Sequence, residues 1–155
     1  MNAPDLLLIG AGGHAHACID VVEELNRYRI AGLVGVSAEL GQRHFGYPVI
    51  GTDADLAQLV RSCAFAMISV GQIGSATLRE KLFRDAIGAG FEMPCIISPS
   101  AHVSRHATVG AGTIVMHGAI VNAGSEIGDN CIINSRALIE HDAVVGDHCH
   151  VSTGA

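Results

Sequence analysis

The stretch ISPSAHVSRHATVGAGTIVMHGAIVNAGSEIGDNCIINSRALIEHDAVVGDHCHVSTGA, residues 97–155, is written on a period of six. Ile97, Val103, Val109, Val115, Val121, Ile127, Ile133, Ile139, Val145 and Val151 recur at that spacing without an error. Four residues after each comes a small side chain: Ala101, Ala107, Thr113, Ala119, Ser125, Cys131, Ala137, Ala143, Cys149 and Ala155. A hexapeptide repeat of this kind is the sequence mark of a parallel β-helix. Three hexads close one triangular coil of about 18 residues, and coils stack at the inter-strand spacing of about 4.8 Å. The branched and the small residue both point inward, so like stacks on like. Residues just after the branched one, Gly110, Asn122, Gly128, Asn134 and Gly146, are expected at corners, where they tolerate unusual backbone angles. The pattern runs in register to Ala155 with no polar cap, although an open solenoid end exposes apolar side chains and strand edges. The expectation is a C-terminally truncated chain holding about three coils.

Upstream, residues 1–95 follow a different rule, with strand-like runs alternating with helix-like ones. Asp5–Ile9 is a short apolar run of buried-strand type that enters Gly10-Ala-Gly-Gly-His-Ala15, then an amphipathic stretch over residues 17–28. Residues 30–36 read as a second strand, 52–62 as a helix capped by Thr52 or Asp53, 64–70 as a third strand, 75–89 as a third helix and 91–96 as a last strand. Such alternation implies a parallel sheet with right-handed crossovers, hence a small Rossmann-like domain over 1–95 ahead of the solenoid over 96–155.

Composition narrows the function classes. The net charge of −6 gives no electrostatic basis for binding nucleic acid or an anionic membrane. No apolar run approaches the roughly 18–20 residues that span a bilayer, and the apolar start lacks the basic region of a signal peptide. The five cysteines are odd in number, scattered and free of any CxxC pair, as in a reduced, cytoplasmic protein.

The Gly10–Ala15 loop after a first strand, the GYPVIG segment of residues 46–51 and the Ile139-Glu-His-Asp142 sequence within the hexads together resemble one bacterial group. It is the sialic-acid O-acetyltransferase family, which includes the nucleotide-sugar N-acetyltransferases of surface-glycan biosynthesis. The resemblance implies a left-handed β-helix and an acetyl-CoA-dependent transfer to an amine or hydroxyl of a sugar, UDP-linked in many members. It also implies a homotrimer with active sites between adjacent solenoids. The family's catalytic histidine falls on His141, the acidic residue that raises its basicity on Asp142, and a second histidine at the thioester end of acetyl-CoA on His150. Its acceptor-binding loop falls on Gly12, Gly13 and His14, with a further glycine at Gly71. Two features depart from the pattern. Where relatives carry an acidic pair after the second strand this chain reads Gly35-Val36-Ser37, and the C-terminal coils that hold much of the coenzyme A site are missing.

The residues allow other readings. GxGxxA also opens NAD domains, which share the cradle of backbone N–H groups at a helix N-terminus, but the acidic ribose partner expected about 20 residues on is not supplied by Gly35-Val36. A histidine at a solenoid corner is by default a solvated surface residue; an imidazole of ordinary pKa near 6.5 beside a carboxylate is also suited to remove a proton from an acceptor. His150 should project from a flat face half a coil from His141, so one site using both must be shared between subunits. Six of the nine histidines lie in the hexads, which brings a zinc-dependent solenoid of the γ-carbonic anhydrase type into consideration. No two of them stack at a multiple of the coil length, and no metal is expected. A non-catalytic nucleotide-sugar-binding trimer is the other alternative.

Overall fold

The computed structural model describes residues 2–155, which form a first unit ending at Pro94 and a second unit over Cys95–Ala155. In the first, β1 (Asp5–Ile9) leads through a glycine loop into α1 (Gly13–Leu25), β2 (Arg29–Val34), a hairpin of β3 (Arg43–His44) and β4 (Tyr47–Gly51), the short α2 (Leu56–Leu59), β5 (Phe65–Ile68) and α3 (Thr77–Ala89). The sheet order is β3-β4-β2-β1-β5, parallel throughout except for β3 against β4. Leu6, Leu7 and Leu8 of the central β1 are all fully buried. A strand covered on both faces has no reason to alternate, which is why this one reads as an unbroken apolar run. One core cluster gathers Leu7, Ile9, Ile68, Leu82 and Phe83 between sheet and helices.

Three local expectations are corrected. The helix over 52–62 reduces to a 3-10 turn, Asp53–Asp55, and the single turn α2. Its start is nonetheless held as an N-terminus should be, with the Asp55 carboxylate accepting the Thr52 N–H at 2.7 Å. The last strand over 91–96 does not form: Glu92 makes one isolated bridge to Phe65, and Ile96 belongs to the solenoid. The β3–β4 hairpin was not anticipated, because its two-residue turn is Phe45-Gly46, both at positive φ (50° and 88°), without the Asn-Gly or Asp-Gly that usually announces one.

The second unit contains β6 (Ile96–Ile97), β7 (His102–Val103), β8 (Thr108–Val109), β9 (Ile114–Val115), β10 (Ile120–Val121), β11 (Glu126–Ile127), β12 (Ile132–Ile133), β13 (Leu138–Ile139), β14 (Val144–Val145) and β15 (His150–Val151). They stack into three parallel sheets, β15-β12-β9-β6, β13-β10-β7 and β14-β11-β8. Partners lie one coil apart in register, Ile120 on Leu138 and Val121 on Ile139 for example. The interior is the sequence repeat made solid: Val115, Ala119, Val121, Ile127, Cys131, Ile133, Ala137 and Ile139 form one buried cluster. Polar small residues there are satisfied by the next coil, Thr113 Oγ1 donating to Gly128 O at 2.7 Å and Ser125 Oγ to Glu140 O at 2.8 Å.

The corners also differ from expectation. From Val109 onward, left-handed backbone falls three residues after each branched residue, not one: Gly112, Gly118, Gly124, Asn130, Arg136, Asp142, His148 and Gly154. Gly110 and Gly128 are small for another reason. The carboxylate of Asp129 lies across Gly110 to accept the Ala111 N–H, and that of Asp147 lies across Gly128 to accept the Asp129 N–H, each at 2.8 Å. A Cβ at Gly110 would stand 2.5 Å from the Gly128 carbonyl carbon. Close approach of coils, rather than a dihedral, excludes a side chain there.

Candidate active site

In the first unit the glycine loop sits where the sheet changes direction, since the chain leaves β1 for β2 on one side and returns to β5 on the other. Ligands of open α/β sheets bind outside the strand ends at such a point. Gly10, at φ 134°, passes so close to β5 that a Cβ would meet Val70 N at 2.5 Å. Its N–H donates to Val34 O at 2.8 Å, and its carbonyl accepts from Ser69 Oγ at 2.7 Å. Gly10 is therefore a requirement of the fold. Gly12 and Gly13 are not: neither needs a left-handed backbone, and a Cβ on either would meet nothing within 4 Å. Glycines that the chain's own packing does not demand leave room for something outside it. Gly12 is the N-cap of α1, with no side-chain cap and no acidic residue in the first turn. The positive end of the helix dipole and its first N–H groups are thus uncompensated by side chains, the arrangement that binds phosphate. His14 and Gly71 are neighbours: a Cβ on Gly71 would come within 3.3 Å of His14 Cβ, so the histidine lies over the strand-end glycine.

Beside this loop opens a cleft of about 250 Å³ whose walls include Gly12, Val36, Leu78 and Leu82 with two carboxylates, Glu39 and Asp53. Neither acid was anticipated. Gly35-Val36 does lack the acidic side chains, but a 3-10 turn, Ser37–Glu39, carries Glu39 back over the strand end. There its Oε2 accepts the Val36 N–H at 2.8 Å. The available signal was the spacing of Val36 and Glu39, which is that of a backbone amide and the carboxylate three residues later that caps it.

In the second unit His141 and Asp142 occupy the turn after β13. His141 Nδ1 stands 2.9 Å from Asp142 Oδ2. Asp142 adopts the left-handed conformation (φ 60°), and its N–H donates to Ala123 O of the preceding coil at 3.0 Å. Its carboxylate rests over Gly124, where a Cβ would overlap it. Behind them Glu140 Oε2 accepts the His141 N–H at 3.2 Å and an Asn122 amide hydrogen at 3.3 Å. The hydrogen bond to Asp142 first, then the charges of Asp142 and Glu140, hold the His141 pKa above its ordinary value. With Nδ1–H given to Asp142, Nε2 carries the lone pair. Both side chains are about three-quarters exposed.

His150 lies on β15, in a different sheet from β13, and does not meet His141. Its partner is Asn134, which the sequence reading had assigned only to a corner. Asn134 Oδ1 accepts the Ser135 N–H at 2.8 Å, which leaves Nδ2 to donate to His150 Nε2 at 3.0 Å. His150 then carries its proton on Nδ1. Burial pushes the thiol of Cys18 up to about 12 and that of Cys95 up to about 11, and raises those of Cys63 and Cys131, so none of these four is activated as a nucleophile. Among the described residues no three His, Cys, Asp or Glu side chains are grouped to hold a metal ion. Nor is any helix among them long and apolar enough to cross a membrane.

Residues 5–86 match the PglD N-terminal domain, and residues 124–155 match the bacterial transferase hexapeptide (six repeats). The acetyltransferase domain of PglB from Neisseria gonorrhoeae, solved with acetyl coenzyme A, shares 32% identity at a TM-score of 0.86, over 98% of this chain and 72% of that one. A point variant of perosamine N-acetyltransferase from Caulobacter crescentus, solved with CoA and GDP-perosamine, shares 35% identity at a TM-score of 0.86, over 94% of this chain and 67% of that one. WeeI from Acinetobacter baumannii, at 18% identity and a TM-score of 0.79, has the same fold. No curated protein matches the chain.

Proposed function

The chain belongs to the hexapeptide-repeat sugar acetyltransferases that carry a PglD N-terminal domain, and on that premise we propose that it moves the acetyl group of acetyl-CoA to a nucleotide-linked amino sugar. The observation that carries the reading is the His141–Asp142 pair at 2.9 Å, on a solenoid similar to those solved with CoA. In this reading the α1 N-terminus with Gly12, Gly13 and His14 receives the diphosphate of the acceptor, with Gly71 keeping room beside His14. His141 Nε2 takes the proton from the acceptor nitrogen as that nitrogen attacks the thioester carbonyl. The Asp142 carboxylate holds the ring in the required tautomer and stabilises the imidazolium formed. His141 then returns the proton to the departing CoA sulfur, so amide and free thiol are the only products. Transfer is direct, consistent with the absence of an activated thiol.

His150, whose Nε2 accepts from Asn134, is in this reading the second histidine, at the acetyl group of acetyl-CoA. Because His141 follows β13 and His150 lies on β15, strands of different sheets of the solenoid, use of both at one site calls for neighbouring subunits. A homotrimer with sites between adjacent solenoids is the arrangement we propose. Nitrogen is preferred to oxygen as the accepting atom because the Caulobacter relative is an N-acetyltransferase solved with GDP-perosamine. The test is release of free CoA thiol from acetyl-CoA in the presence of UDP- or GDP-linked amino sugars, with calorimetric binding of the same acceptors. Thiol release that requires an amino sugar is expected. Saturable binding without thiol release would replace the enzyme with a non-catalytic nucleotide-sugar-binding protein.

A further inference from the structure

The two carboxylates of the cleft are engaged differently. Asp53 lies 3.8 Å from Lys81 Nζ, in the ion cluster that Lys81 shares with Asp85. Among the described residues Glu39 has no cationic partner. Its Oε2 is clamped by the Val36 N–H, which draws the side chain across Gly35, where a Cβ would overlap that oxygen. Among the described residues no donor meets Oε1. The cleft wall thus holds a half-buried carboxylate whose position is set through one oxygen and whose other oxygen remains an acceptor.

No Lys, Arg or His contributes to that wall. An anionic acceptor with no cation beside it disfavours a phosphate there, so the phosphate belongs at the α1 N-terminus. The part of the ligand lying against Glu39 must bring hydroxyl or N–H donors. A ribose offers two adjacent hydroxyls, and the turn after β2 is the position from which dinucleotide-binding sheets address a ribose. We propose that Glu39 is a specificity-determining residue that binds the ribose hydroxyls of the acceptor's nucleoside, taking over from outside the strand a task for which Gly35 and Val36 have no side chain. This assignment rests on the nucleotide-linked acceptor proposed above. It adds that the protein reads the sugar of the carrier, and so rejects a deoxynucleotide.

The experiment is calorimetric titration of the full chain with GDP, 2′-deoxy-GDP, UDP and 2′-deoxy-UDP, repeated on Glu39→Gln, Glu39→Ala and Asp53→Asn. Hydrogen bonds to a charged group put the expected preference of the wild type for the ribonucleotide at about tenfold or more. The preference should shrink in Glu39→Gln, vanish in Glu39→Ala and persist in Asp53→Asn. Glu39→Gln can still accept the Val36 N–H, and the wild-type ratio needs no variant, so loss of the cap in Glu39→Ala does not shelter the proposal. Equal binding of ribo- and deoxynucleotides by the wild type, or an undiminished preference in both Glu39 variants, overturns the assignment and leaves the acceptor reading standing. Silence from all four nucleotides overturns the acceptor reading, and the role of Glu39 with it.

Discussion

Substituting Gly124 by alanine isolates the contribution of Asp142. Gly124 has φ 78°, and the Asp142 carboxylate lies where its Cβ would be. Two costs follow. A Cβ in left-handed backbone costs about 1–2 kcal/mol, and the overlap drives the carboxylate off its 2.9 Å contact with His141 Nδ1. Gly118 supplies the control. It has φ 67°, but its Cβ would meet only Arg136 Cγ, at 3.4 Å, on a flexible side chain. Gly118→Ala and Gly124→Ala should each lower Tm by roughly 2–8 °C, the equivalent of that backbone cost for a chain of this size. Only Gly124→Ala should also lose activity, by roughly 10–10²-fold in kcat, the worth of a catalytic group held out of line. The assay is thiol release well below both melting transitions, alongside thermal unfolding. Equal kcat values in the two variants would show that Asp142 does not set the working geometry of His141.

Three further outcomes are expected. His141→Ala should lose about 10²–10⁴ in kcat with acceptor binding retained, since general-base catalysis is worth that much; a loss below about tenfold removes His141 from the role. The base works in its neutral form, so kcat/KM should fall as pH drops through a His141 pKa held above the ordinary 6.5, and Asp142→Asn should move that acid limb to lower pH. An unmoved limb would mean that another group titrates. The linked stability runs the other way, present below the unfolded-state pKa and lost as pH rises through the folded one. Gly13→Ala should stabilise the fold by about 0.5–1 kcal/mol, because alanine is the better helix residue and meets no clash, yet weaken nucleotide binding at least about tenfold. Gains in both thermal stability and affinity would remove the α1 N-terminus from the acceptor site.

The division into a parallel α/β sheet and a hexapeptide solenoid was legible because both signals are periodic and repeated. What stayed hidden depends on a single pairing. Phe45-Gly46 turns a hairpin with no turn chemistry to announce it, and residues 91–95 look like the start of a strand but make only one isolated bridge, Glu92 to Phe65. At the site, His141 and Asp142 are adjacent in sequence, so their contact could be expected. Asn134 and His150 are 16 residues apart and meet only because the coils stack. Glu39 is hidden in the sequence because the acid of such sheets is expected at the strand end itself, whereas here the turn after it supplies one.

The distribution of left-handed residues bears on why the chemistry sits where it does. The inward positions are fixed by stacking and hold branched apolar side chains or small ones, the polar small ones only where the next coil accepts their hydrogen bond. The turns are free to vary, and their left-handed position favours glycine. Gly112, Gly118 and Gly124 obey that preference, and the next four turns, at Asn130, Arg136, Asp142 and His148, do not. A side chain there costs about 1–2 kcal/mol, less for Asn and Asp, whose short polar groups bond locally. Composition does not account for the change, since Gly154 resumes the glycine rule at the same turn position. The exceptions cover the stretch from Asn130 to His148 that contains Asn134 and His141 and ends two residues before His150. Three of them make contacts that offset the strain: Asp142 Oδ2 stands 2.9 Å from His141 Nδ1, and Asn130 Nδ2 reaches His148 Nδ1 at 2.9 Å. Strained backbone retained in one part of an otherwise regular repeat supports placing the proposed site in that part.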